Sequence, residues 1–118
     1  MKFLLSIFFI GIVSSLSAER NPDDFIQKEI AVVQVLNKQS GRTSTLRIPI
    51  NTPTQFEKIT INIRQCYAMD EFLPENFYMF VNVVKAERVI FNGWMSRNEP
   101  GQNPLQDPEN DLWLTRCE

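Results

Sequence analysis

Residues 58–66 read KITINIRQC. Ile59, Ile61 and Ile63 fall on one parity, and Thr60, Asn62 and Arg64 on the other. Side chains of a strand point alternately to its two faces, so this period of two predicts a strand with one buried face. The same parity puts Cys66 on the polar side with Arg64. Burying its sulfur requires a local bulge or twist, because one extra residue exchanges the faces of everything beyond it.

The segments on either side carry related signals. Residues 29–36 (EIAVVQVL) are apolar and β-branched, which favours strand. Asn37 to Gly41 (NKQSG) supplies a turn. In residues 45–50, Leu46, Ile48 and Ile50 alternate with Thr45, Arg47 and Pro49. Pro49 ends that strand or confines it to an edge, since proline has no N–H for a ladder. Residues 51–53 turn the chain. Residues 77–84 (FYMFVNVV) are apolar on both faces and read as a central strand. A tight turn at Lys85-Ala86-Glu87 leads into residues 89–91, and residues 112–116 form the last strand. Gly93 relaxes the backbone at the exit of a strand. Between lies Ser96 to Asn110 (SRNEPGQNPLQDPEN), a long loop with three prolines. A short helical turn fits in this loop or around Asp70 to Asn76. The expectation is all-β: a small antiparallel sandwich or barrel of about six strands, with a long proline-rich loop before the last.

The N-terminus reads as a targeting signal. Lys2 precedes the apolar run FLLSIFFIGIV (Phe3–Val13) and the small-residue stretch SSLSA (residues 14–18). That is the three-part plan of a secretory signal peptide, cut after Ser17 or Ala18. The run is short of the roughly 20 apolar residues of a membrane span. An uncleaved N-terminal anchor is the alternative. The expected organisation is therefore a signal peptide over 1–18, a flexible lead-in over 19–27 and a single β domain over 28–118. Cleavage leaves 100 residues with 11 Lys and Arg against 14 Asp and Glu. A periplasmic or secreted location follows. Cys66 and Cys117 are the only cysteines, and an even count in an oxidising compartment predicts a disulfide.

Composition narrows the chemistry. The chain has 118 residues, 22% charged and 43% hydrophobic, with net charge -2. It has no basic run of the kind a nucleic-acid footprint needs. It has no histidine, which removes Ser-His-Asp and Cys-His catalysis and the commonest metal ligand. No catalytic residue, cofactor or metal is expected. Gly93, Trp94 and Met95, with Asp111 and Trp113, form the most distinctive group. They offer a partner-contact surface for an envelope protein or cell-wall glycan, because Trp binds through area and its N–H. Alternatively, the tryptophans plug one end of the sandwich and hold the long loop down. Asp107 and Asp111 suggest a small carboxylate hydrolase if they converge in a cleft. Asp107, Glu109 and Asp111 have oxygen ligands for calcium but lack the glycine and terminal glutamate of a calcium loop. Asp70, Glu71 and Glu75 make a second acidic patch.

Several blocks resemble one known family. They are Leu36-Asn37-Lys38 through Gly41-Arg42-Thr43, Leu46 to Ile50, and Ile61 to Cys66. The C-terminal signature is Phe91-Asn92-Gly93-Trp94-Met95, Asn103-Pro104-Leu105, Asp107-Pro108, and Asp111-Leu112-Trp113 to Cys117. Together, over Val35 to Cys117, they resemble the domain-of-unknown-function family 2155. Glu109 departs from the valine of that pattern. The resemblance implies an exported protein of alphaproteobacterial type and assigns no catalytic residue. The readings that remain are an exported non-enzymatic binding domain, a small hydrolase, or an effector secreted from the cell.

Overall fold

The computed structural model describes residues 24–118, so the expected leader and residues 19–23 of the lead-in lie outside the described residues. Eight strands form: β1 (Phe25–Lys28), β2 (Ile30–Asn37), β3 (Thr43–Pro49), β4 (Thr54–Phe56), β5 (Ile59–Met69), β6 (Phe77–Lys85), β7 (Arg88–Ser96) and β8 (Asn110–Cys117). All pairings are antiparallel. One sheet runs β1-β5-β6-β7, with β4 also on β5, and the other runs β3-β2-β8. The two sheets make a sandwich rather than a closed barrel. No α-helix occurs among the described residues, and Asp70 to Asn76 and the proline-rich loop form turns and bends.

The core follows the alternation read from the sequence. Ile61 and Ile63 of β5 face Val83 and Val81 of β6, and Ile59 and Met79 extend the two rows, all fully buried. From the smaller sheet, Ala31, Val33, Val35, Ile48, Leu112 and Leu114 close over them. Burying a Val, Leu or Ile side chain contributes about 1.5–3 kcal/mol, so these rows supply most of the drive to fold. Pro49 ends β3, an edge strand of its sheet, as its missing N–H requires.

Two strands exceed the six expected. β1 takes Phe25 to Gln27 from the expected lead-in and, with Lys28, pairs them with Met69 to Cys66. β4 pairs three residues with Ile59 to Ile61. Strands this short carry too few residues for a period to register. β7 also runs on to Ser96 rather than ending near Phe91, so Gly93 lies inside a strand and not at its exit.

A bulge in β5 decides the handling of Cys66. Ile63 faces Val81 and Gln65 faces Phe80, leaving Arg64 as the extra residue. Beyond it the parity is exchanged. Cys66 and Ala68 turn inward, and Tyr67 turns outward. Cys66 is fully buried and bonded to Cys117 of β8, with Cα atoms 5.7 Å apart. The bridge joins the two sheets at the start of the second half of β5.

Candidate functional site

The outward face of the larger sheet carries a row of aromatic rings. The β6–β7 hairpin places three residues of it. Its two-residue turn, Ala86-Glu87, has φ of 51° and 63°, the left-handed pair of a type I′ turn. With that register, Phe80 faces Trp94 and Asn82 faces Asn92. Tyr78, Phe80 and Asn82 share one parity of β6, while the intervening Met79, Val81 and Val83 are buried. Trp94 stands edge-to-face with Phe80 at 5.2 Å and tilted against Tyr67 at 6.0 Å. Phe25 extends the row, edge-on to Tyr67 at 6.2 Å and Tyr78 at 5.7 Å. Such pairs contribute about 0.5–1.5 kcal/mol each beyond their area, so the rings hold one another in place. Trp94 nonetheless keeps 42% of its surface exposed.

Uncharged amides border the rings. Asn82 Nδ2 donates to Asn92 Oδ1 over a long 3.4 Å, leaving both side chains with unused capacity. Asn62 Oδ1 is buried and accepts no hydrogen bond. Asn76 Nδ2 donates to Tyr78 Oη at 3.0 Å and Ser96 Oγ at 3.1 Å, fixing the end of the row. Arg64 is exposed at the bulge, and Arg97 pairs with Glu75 beyond Asn76 and Ser96.

The five candidate contact residues do not share this face. Trp94 is on it. Met95 is in the core at 5% exposure, and Gly93 points the same way, with Phe91 filling the space beside it. Trp113 and Asp111 point outward from the other sheet, where Trp113 is paired with Gln34. The tryptophans therefore form no common cluster and plug no end of the sandwich. Alternation around Met95 and Leu112 carries them to opposite sides of the molecule. Tyr67, Tyr78 and Phe80 were missed as site residues. Residues 77–84 read as apolar throughout, which hides the split between a core parity and an aromatic parity. Tyr67 needed the bulge.

The acidic candidates act as a fastening. Asp107 is 5% exposed and accepts Lys85 Nζ at 2.9 Å and the N–H groups of Glu109 and Asn110 at 3.1 and 2.9 Å. Burial pushes its carboxyl up, but the hydrogen bonds from Lys85 and the two backbone N–H groups outweigh that and hold it below its usual range. Lys85 also reaches Glu109 at 2.6 Å, and these two carboxylates, Glu109 first, raise its ammonium. Glu109 is lowered, chiefly by Lys85. Lys38 Nζ donates to the Asp107 carbonyl at 2.7 Å. Together with buried Leu105 and the bond from Asn103 Nδ2 to the Trp94 carbonyl, this pins the proline-rich loop.

Asp107 and Asp111 do not converge. The first is buried under an ammonium, and the second faces out from β8 and accepts its neighbour's N–H at 2.8 Å. The Lys85 ammonium lies between Asp107 and Glu109, where calcium would have to sit. Among the described residues, no group of three or more His, Cys, Asp or Glu side chains is placed to hold a metal. Asp70, Glu71 and Glu75 line an open cleft of about 460 Å³ at the end of the sandwich, with Ile26, Lys28 and Phe77. There Asp70 caps a turn through the N–H of Phe72, and Glu75 pairs with Arg97 at 3.2 Å.

A protein-family model described as an uncharacterized protein conserved in bacteria matches residues 31–117. Neither a curated protein nor a solved structure matches the chain.

Proposed function

The chain belongs to the DUF2155 family, and we propose that it is an exported, non-catalytic binding domain whose contact surface is the aromatic face around Trp94. The supporting observation is the exposure of Trp94 within a pre-assembled set of rings. Large aromatic side chains fixed by their neighbours lose little freedom on binding, so their area converts efficiently into affinity. Export to the periplasm or beyond is supported by the leader-like residues 1–18 and by the Cys66–Cys117 bridge, which persists in an oxidising compartment. The partner class is an envelope protein or a cell-wall glycan. The hydrolase reading has less support, because Asp107 is already neutralised by Lys85.

The test is retention of envelope components on immobilised protein. Trp94→Ala is expected to abolish specific retention, while Trp113→Ala, on the opposite sheet, retains it. Equal retention by Trp94→Ala and the parent would refute the surface assignment.

A further inference from the structure

We infer that the aromatic face binds a neutral glycan strand of β-linked pyranose rings. The inference rests on the surface assignment above and names its ligand. Three observations carry it.

The first is charge. Tyr67, Phe80 and Trp94 are bordered by Asn82, Asn92 and Gln65, none of which ionises. The chain as a whole carries 26 charged side chains, yet the cross-strand and same-face neighbours of these three rings are uncharged, with Arg64 at the bulge and the mutually paired Glu75 and Arg97 beyond the Tyr78 end. An acidic or basic partner segment finds no complementary charge here, whereas an uncharged polymer matches it.

The second is the pairing of rings with amides. A pyranose ring presents an apolar C–H face and a rim of hydroxyls that both donate and accept. The C–H face lies against an aromatic ring. The rim needs side chains that also donate and accept, and Asn and Gln supply both in one group. Asn82 and Asn92 hold each other only through the long 3.4 Å contact, so they are available to a ligand without losing a strong bond.

The third is shape. The rings are drawn from β1, β5, β6 and β7, four adjacent strands. Phe25, Tyr67 and Trp94 follow one another in steps of 6.2 and 6.0 Å between ring centres, so the row reaches up to about 12 Å across strands that stand about 4.8 Å apart. An extended, ribbon-like oligosaccharide of a few residues covers that length. A compact small molecule does not.

The experiment is calorimetric titration of the disulfide-bonded protein with a β-1,4-linked N-acetylglucosamine hexamer and a β-1,4-linked glucose hexamer. Trp94→Ala, Trp94→Phe and Asn92→Ala are compared with the parent, and unchanged circular dichroism establishes that each is folded. Saturable binding of at least one hexamer is expected. Trp94→Ala should weaken it about tenfold or more, and Trp94→Phe, which keeps a ring, should weaken it less. If neither hexamer binds, yet a Trp94-dependent envelope protein is retained, the glycan inference is overturned and the surface assignment stands. If a hexamer binds equally well to Trp94→Ala, both the surface assignment and the inference fall.

Discussion

Asp107 shows how a single residue can be read as chemistry and turn out to be structure. It sits in an acidic run before the last strand, yet its carboxylate is consumed by Lys85 and two backbone N–H groups. Asp107→Ala leaves the two backbone donors unmatched and Lys85 with Glu109 alone, so we expect a loss of about 1–3 kcal/mol in urea unfolding. The pH dependence follows from the same contacts. The folded carboxyl lies below its ordinary value of 3.8, so the unfolded chain binds more protons in that region. The contribution is complete above that value and is lost as pH falls through it toward the folded pKa. Unfolding free energy should therefore drop between pH 5 and about 3, and Asp107→Asn should drop less. An identical drop in the variant would contradict the assignment. Ala86 and Glu87 offer an opposite case. Both hold left-handed backbone angles that Asn and Gly adopt at lower cost. Ala86→Asn combined with Glu87→Gly should stabilise by about 1 kcal/mol, raising Tm by about 4–8 °C.

At the scale of elements, the bulge in β5 has the widest consequences. One extra residue, Arg64, sends Cys66 to the core and Tyr67 to the outer face. The alternation of Ile59, Ile61 and Ile63 was legible because three β-branched residues repeat on one parity. The cysteine on the wrong parity already required an irregularity, though not its position. β2, β3, β6 and β8 were legible for the same reason of repetition. β1 and β4 were not, because three or four residues pair only once β5 offers them an edge. The site was less legible than the fold. Trp94 was identified, but its ring neighbours come from strands far apart in sequence, and only register brings them together. Deleting Arg64 tests the parity argument. The ladder then continues without exchange, Cys66 faces solvent, and thiol titration of the oxidised product should find two free thiols. A disulfide retained in the deletion variant would show that the bulge is dispensable.

For the whole molecule, the bridge and the location of the protein are one question. Cys117 closes a loop spanning 51 positions, which on chain-entropy grounds stabilises by about 4 kcal/mol. Against a total of about 5–15 kcal/mol for a small domain, that is a large share, added to the ladder of β8 on β2 and the burial of Leu112 and Leu114. The double variant Cys66→Ala, Cys117→Ala should lose about 2–5 kcal/mol. A chain kept in a reducing compartment would forgo this stabilisation. Tyr67 of the aromatic face stands directly beside Cys66 on β5. The most direct measurement is the intact mass of the protein isolated from its native host, before and after thiol alkylation. The expected result is a chain beginning at about residue 18 or 19 that takes up no alkyl groups until it is reduced, and two afterwards. A full-length chain beginning at Met1 and alkylated at both cysteines without reduction would contradict it.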